Sequence, residues 1–251
     1  MKIKRILISQ AKPETEKSPY DDLAQKTNVE IEFRPFTHVE GVTSKEFRAQ
    51  KINILDYTAI IFNSRTAIDH FFRICNELRI TVPETMKYFC TSETVALYLQ
   101  KYIVYRKRKV FYANGTFPDL MNHILKHKDE RFLVPLSDQH KDEIPELLTK
   151  NGIKFKIVIL YKTVYSDLSD LSTTNYDILV FFSPAGVKAL LSNFPNFKQD
   201  DIKIASFGQH TAKAVREAGL RLDIEAPMPE APSMAMALEQ YILKHNKNCK
   251  K

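Results

Sequence analysis

Four hydroxyl side chains stand where an α/β chain could do chemistry. Ser64, Thr94, Ser183 and Thr211 each follow a short apolar run and lie where a stretch of helical spacing begins. Such strand-to-helix junctions bring a hydroxyl and several unpaired backbone N–H groups to the carboxyl end of a strand, where the helix dipole favours anions. The chemistry on offer is the gripping of a carboxylate. The same residue types serve as ordinary helix caps, and their positions in the sequence do not separate the two uses.

Metal, redox and nucleotide chemistry find little to work with. The seven histidines include His123, His127 and His140 but no H-E-x-x-H or comparable ligand spacing, so these three are expected at the surface. Cys75, Cys90 and Cys249 are odd in number, far apart and without a C-x-x-C pair. That excludes a disulfide framework and a cysteine-based zinc site, and it suits a reducing compartment. None of the six glycines builds a G-x-G-x-x-G or a Walker loop, so nucleotides lack their usual phosphate cradle. The expectation is a protein with no metal and no organic cofactor.

Lysine and arginine number 37 against 30 aspartates and glutamates, a net charge of +7 that favours an anionic partner. The densest basic run, Arg106-Lys107-Arg108-Lys109, is interleaved with Tyr102, Tyr105 and Tyr112. It fits either a patch for single-stranded nucleic acid or a charged turn feeding a strand. Being the one such run, it is read as the turn, and no nucleic-acid partner is expected. A 44% apolar and 27% charged composition over 251 residues describes a globular chain of one large or two ordinary domains. No run approaches the roughly 20 apolar residues of a membrane span. The start, MKIKRILISQ, shows no small-residue cleavage site and is not read as a signal peptide. A cytoplasmic protein away from membranes is expected.

Positioning those hydroxyls requires alternating strands and helices, and the apolar pattern supplies them. Strands are predicted at 6–9, 29–33, 59–62, 88–90, 110–112, 132–135, 154–160, 178–182, 204–207 and 222–224. Helices are predicted at 20–26, 45–50, 67–78, 93–101, 119–126, 142–150, 185–193, 211–218 and 234–244. Ser92 and Ser233 precede helices as caps, and Gly152 and Gly219 follow helices where a left-handed residue is needed. Such alternation predicts parallel sheets covered on both faces, and about ten strands suit two α/β domains better than one.

The two domains are copies. Tyr57-Thr-Ala-Ile-Ile-Phe-Asn-Ser64 resembles Tyr176-Asp-Ile-Leu-Val-Phe-Phe-Ser183, 119 residues later. Thr94-Val-Ala matches Thr211-Ala-Lys at an offset of 117, and Arg5-Ile-Leu-Ile-Ser-Gln pairs with Arg131-Phe-Leu-Val-Pro-Leu. Nearly constant offsets indicate a duplicated unit. The order of the pieces closes only if the second copy is inserted in the first, with crossings near 35–41 and 161–174. The return segment TVYSDLSDLSTT is polar and helix-poor. The domains are therefore expected at 1–36 with 166–251, and at 40–162, joined by a two-stranded linker of residues 37–39 and 163–165.

Five segments, taken in order, resemble the uroporphyrinogen-III synthase family. They are Ile60-Ile-Phe-Asn-Ser64, the stretch from Gly152 to Leu160-Tyr161-Lys-Thr-Val, Phe181-Phe-Ser-Pro-Ala-Gly186, Phe207-Gly-Gln-His-Thr-Ala212, and Ala226-Pro-x-Pro-x-Ala-Pro-Ser. Each is a weak motif alone, and their order and spacing make the likeness specific. The resemblance implies two α/β domains with the active site in a cleft between them, acting as a monomer without metal or cofactor. It implies a lyase that cyclises hydroxymethylbilane, with loss of the terminal hydroxyl and inversion of ring D through a spiro intermediate, to uroporphyrinogen III.

By the same resemblance Tyr161 aligns with the family's cleft-facing tyrosine and is the expected catalytic residue. A phenol is protonated at neutral pH and can donate a hydrogen bond to a departing hydroxyl. Ser64, Thr94, Ser183, Pro184, Ala185, Lys203, Gly208, His210 and Thr211 are the expected substrate contacts. Two departures stand out in the second domain. Thr91 occupies the position where the family's G-x-x-T-A pattern has glycine, and Pro135-Leu-Ser-Asp-Gln-His-Lys-Asp lacks the glycine and arginine often found after that strand. A relative that binds a polycarboxylate without catalysis, and a basic nucleic-acid-associated protein using Arg106–Lys109, remain the alternatives.

Overall fold

Short β-branched and aromatic runs make the strands, and capped amphipathic stretches make the helices between them. The computed structural model describes residues 2–13, 18–140, 142–171 and 175–248. In chain order these form β1 (Arg5–Ile8), α1 (Pro19–Thr27), β2 (Glu30–Phe33), β3 (Thr37–Gly41), α2 (Ser44–Ala49), β4 (Ala59–Phe62) and α3 (Arg65–Glu77). There follow β5 (Lys87–Cys90), α4 (Glu93–Tyr98), β6 (Val110–Tyr112), α5 (Phe117–Leu125), β7 (Phe132–Ser137), α6 (Glu143–Lys150) and β8 (Phe155–Tyr165). The chain ends with β9 (Ile178–Phe181), α7 (Pro184–Asn193), β10 (Lys203–Phe207), α8 (Gln209–Glu217), β11 (Ile224–Ala226) and α9 (Met234–Asn248).

The strands form two sheets. One has five strands in the order β11-β10-β9-β1-β2, the other six in the order β3-β8-β7-β4-β5-β6. Pairing is parallel throughout the first sheet and from β8 to β6 in the second. Read outward from β11 and from β6, the two orders correspond strand for strand until β3 adds an outer strand to the second. The duplication therefore extends to topology. The chain divides into two compact units, Met1–His38 with Val164–Lys251, and Val39–Thr163.

Each unit carries a helical layer on both sheet faces, and the central strands show why. All four residues of β4, AIIF, and all four of β9, ILVF, are buried. In the second unit Ile60 and Phe62 pack with Ala67, Ile68 and Phe71 of α3, whereas Ala59 and Ile61 pack with Leu120 and Ile124 of α5. In the first unit Ile178 and Val180 meet Leu238 and Ile242 of α9, and Leu179 and Phe181 meet Val187 and Leu190 of α7. Alternate side chains of one strand thus feed opposite layers. Each fully buried large side chain stabilises its unit by about 1.5–3 kcal/mol.

Local punctuation follows the sequence closely. Ser92 accepts from the Val95 N–H at 3.3 Å and Ser233 from the Met236 N–H at 3.3 Å. Gly152 and Gly219 adopt the left-handed conformation that a helix C-terminus requires, at φ 66° and 72°. Other features differ. Strand β3, THVEG, has no apolar alternation and mostly exposed side chains, so no periodic signal marks it; it is held by pairing to β8. Strand β8 runs to Tyr165 rather than stopping at Leu160. The last strand lies two residues later than expected, and α9 reaches Asn248. Cys249, Lys141 of the segment after β7, and residues 172–174 of the return segment lie outside the described residues.

Cys75 and Cys90 are buried free thiols, and burial pushes both up to about 12. They remain protonated and unreactive at neutral pH.

Candidate active site

In a doubly wound sheet the loops leaving two adjacent strands diverge where the strand order reverses, and this opens a crevice at their carboxyl ends. The reversal falls between β9 and β1 in the first unit and between β4 and β7 in the second. A cavity is present at each. The one in the first unit, about 390 Å³, is lined by Ser9, Gln10, Ala11, Pro35, Thr37, Phe182 and Ser183. The one in the second, about 280 Å³, is lined by Asn63, Leu136, Ser137, Gln139, His140, Glu143, Ile144 and Tyr161.

Tyr161 reaches the second crevice through a fault in the sheet. From Phe132 to Leu136, β7 pairs with β8 in step, but Ser137 stands opposite Tyr161 instead of Leu160. One extra residue in β8 locally re-aims the side chains that follow. The Tyr161 carbonyl accepts from the Asp138 N–H at 3.1 Å, and Asp138 Oδ1 in turn accepts from the Thr163 N–H at 3.0 Å. The tyrosine is 9% exposed. Its ring stacks on His70 at 5.3 Å and 19°, and its hydroxyl lies 3.4 Å from Ser64 Oγ.

Ser64 performs two tasks there. It caps α3, accepting from the Ala67 N–H at 3.1 Å, and it keeps its hydroxyl beside the phenol. Asn63 Oδ1 is buried with no hydrogen-bond partner. His140 Nδ1 donates to the Ser137 carbonyl at 2.8 Å, which leaves Nε2 as the ring's second polar atom.

In the first unit Ser183 caps α7, accepting from the Gly186 N–H at 3.2 Å, with Pro184 and Ala185 as the first two helical residues. Gly208 occupies the cap position of α8 at φ 84° and ψ 148°, a conformation open to glycine and strained for other residues. Its carbonyl accepts from the Thr211 and Ala212 N–H groups at 3.1 and 3.0 Å. No side chain caps α8, so the amides of Gln209 and the exposed His210 open the helix without a protein hydroxyl over them.

Three of the residues expected as substrate contacts lie elsewhere than at the cap of a helix. Thr94 is the exposed second residue of α4, not its cap; the cap is Ser92, whose Oγ lies 2.9 Å from Thr94 Oγ1. Thr211 is the third residue of α8 and only 2% exposed. Lys203 is the first residue of β10, about 13 Å along the strand from the carboxyl end where Gly208 follows. His123, His127 and His140 are half-buried rather than on the surface; His127 packs on Phe111 at 4.5 Å and Phe89 at 5.4 Å.

Residues missed in the sequence are Asn63, His70 and Ser137 in the second unit, and Ser9 and Thr37 in the first. Asn63 stands next to a hydroxyl already singled out, and Ser9 follows the first apolar run, so both carried a positional signal. His70 carried none.

The fold defines a duplicated α/β protein with a crevice at each topological switch point, equipped with hydroxyls, open helix amides and one phenol. Among the described residues no group of three His, Cys, Asp or Glu side chains could hold a metal ion, and no helix is long and apolar enough to cross a membrane. Residues 18–236 match the family model described as uroporphyrinogen-III synthase HemD, and the chain belongs to that family. A uroporphyrinogen-III synthase of Saccharomyces cerevisiae is 27% identical over 145 residues, covering 51% of this chain and 52% of the relative. The chain thus spans about half the length of the curated relative it matches.

Solved structures share the fold. The uroporphyrinogen-III synthetase of Helicobacter pylori 26695 superposes with a TM-score of 0.57 at 16% identity, over 96% of this chain and 100% of that one. A mutant uroporphyrinogen III synthase of Thermus thermophilus gives 0.52 at 14% identity, over 98% and 99%.

Proposed function

We propose that this chain is a cyclising hydro-lyase that converts hydroxymethylbilane to uroporphyrinogen III, with loss of water and inversion of ring D. The observation that carries the reading is the match of residues 18–236 to one family. The residues supply matching chemistry. A linear tetrapyrrole with acetate and propionate on each ring is a flexible polyanion, and a net charge of +7 steers it inward. The uncapped amides at the start of α8 and the hydroxyl of Ser183 receive carboxylates. In the second unit the Tyr161 hydroxyl donates its hydrogen bond to the departing hydroxyl, and Ser64 holds that phenol in line.

The chain's residues bind, orient and lend one proton, which leaves with the hydroxyl as water and is replaced by the proton that the pyrrole loses as the macrocycle closes; ring D does the carbon chemistry. Holding reacting atoms in register supplies several kcal/mol of the acceleration. We propose further that the protein acts in the cytoplasm as a monomer on this small-molecule substrate, without nucleic acid or membrane as partner.

The test is a coupled assay: generate hydroxymethylbilane in situ, add the purified protein, oxidise, and separate the porphyrin isomers. Isomer III rising with protein concentration is the expected result. Isomer I alone, the product of spontaneous closure, from a folded protein would overturn catalysis and leave a site that binds polycarboxylates.

A further inference from the structure

Tyr161 has two rotatable side-chain torsions, and its hydroxyl meets Ser64 Oγ at 3.4 Å. A phenol held by that long hydrogen bond alone would sweep an arc, and an acid misplaced by about 1 Å loses on the order of a hundredfold in rate. Something must hold the ring itself. The face of that ring lies against His70 of α3, 5.3 Å between centroids and 19° from parallel.

His70 is fixed in turn. Arg73, one turn further along α3, donates from Nε to His70 Nδ1 at 3.3 Å and from Nη2 to the Val42 carbonyl at 2.7 Å. Its remaining nitrogen pairs with Glu77, which also accepts from Ser44 Oγ at 2.7 Å. The guanidinium therefore ties the imidazole to the backbone just after β3 and to the start of α2. Accepting from Arg73 requires an unprotonated Nδ1. Burial and the neighbouring Arg73 cation both lower the His70 pKa, against the pull of Asp69. Asp69 itself is occupied by Tyr98, Tyr102 and Lys101.

Gly41 is the second, independent observation. It has no left-handed φ, so backbone conformation does not require glycine there. The clearance is close instead: a Cβ at Gly41 would lie 2.5 Å from Arg73 Nη2 and 2.7 Å from His70 Nδ1, so the guanidinium and the imidazole would have to shift. The last residue of β3 is reduced to a hydrogen so that the Arg73–His70 pair can sit where it meets the tyrosine.

We infer that His70 is a positioning residue for Tyr161: its neutral ring, held by Arg73 in the space left by Gly41, fixes the plane of the phenol and so the direction of its hydroxyl. The inference rests on the reading of Tyr161 as the proton donor. It explains a half-buried histidine that neither the helix nor the crevice otherwise uses.

The experiment compares His70→Ala, His70→Phe and Gly41→Ala with the wild-type chain in the isomer III assay. His70→Ala is expected to lower kcat about tenfold with KM within about twofold. His70→Phe keeps a flat stacking partner but cannot accept from Arg73 Nε, so it is expected to recover part of the loss and not all of it. Gly41→Ala displaces the Arg73–His70 pair without touching either crevice, and a kcat loss in the same direction is expected. Wild-type kcat in His70→Ala, or no recovery in His70→Phe, would overturn the inference.

A readout independent of turnover separates this from failure of the proposed activity. In protein with ¹³C-labelled tyrosine rings, the Tyr161 resonance, assigned by its loss in Tyr161→Phe, is expected to shift in both His70→Ala and Gly41→Ala. An unmoved resonance overturns the positioning role even if the chain makes no isomer III.

Discussion

The two units place a crevice at the same topological position and furnish it differently. Beside β9 and β1 the lining residues carry no ionisable side chain among those described: serines, a threonine, a glutamine and apolar groups. Beside β4 and β7 the lining includes Tyr161, His140 and Glu143. The next helix start in each unit diverges as well. Gly208 opens α8 with no side-chain cap, whereas at the equivalent place Thr91 is buried, its hydroxyl donating to the Asn63 carbonyl at 3.3 Å, and Ser92 closes α4 with its own oxygen. Duplication repeated the backbone scaffold. The side chains differ: open amides stand at the helix start in one copy and a phenol beside a serine in the other, and the proposed function assigns anion binding to the first and proton donation to the second.

The largest effects should come from opposing kinetic signatures. Tyr161→Phe should lower kcat about 10–100-fold with KM and the urea midpoint nearly unchanged, because it removes the proposed proton donor. Ser183→Ala should do the reverse, raising KM several-fold at nearly constant kcat and costing about 1 kcal/mol of stability as a lost cap. Steady-state kinetics beside urea melts would break the comparison if both variants altered the same constant.

Exchanging the two helix starts gives an intermediate effect. Gly208→Thr forces a β-branched residue to φ 84°, which should cost about 1–3 kcal/mol and weaken polyanion binding. Thr91→Gly should cost about 1 kcal/mol, from a lost hydrogen bond and a freer unfolded chain, and leave polyanion binding as it was. Equal losses of affinity in the two variants would erase the distinction between the copies.

The smallest effect concerns pH. Glu46, in the capping box of α2, has its carboxyl lowered to about 2 by the hydrogen bond from Lys162 and those from Thr43. A carboxyl lowered on folding contributes stability that is present above its unfolded pKa, near 4.5, and is lost as the pH falls through the folded value. Being exposed, it contributes little. The wild type and Glu46→Gln should therefore differ in urea midpoint above about pH 4.5 and converge as the pH approaches 2. An undiminished difference at low pH would refute the assignment.

Much of this was legible in the residues, because strand and helix periods are local. Buried runs such as AIIF and ILVF mark central strands, and Ser92, Ser233, Gly152 and Gly219 mark helix ends with chemistry that acts within a few residues. The near-constant offsets exposed the duplication, and motif order pointed to the family. Strand β3 was illegible because THVEG buries little and depends on its neighbour for pairing. Ser92 is the expected cap of α4, and Thr94 follows it as the second helical residue, a placement that the spacing of the two hydroxyls already carries.

By itself the sequence determined the class of fold, the two copies, the absence of a glycine-rich phosphate loop and the hydroxyls that stand at the strand-to-helix junctions. Tertiary structure decided which of them meet. The extra residue in β8 opposite Ser137 aims Tyr161 at its crevice, Ser64 arrives at its hydroxyl from another strand, and His70 meets its ring across a helix–sheet contact whose clearance is set by Gly41. Those contacts join residues far apart along the chain, and no periodicity or spacing encodes them. They exist because close packing of side chains leaves each ring one place to lie.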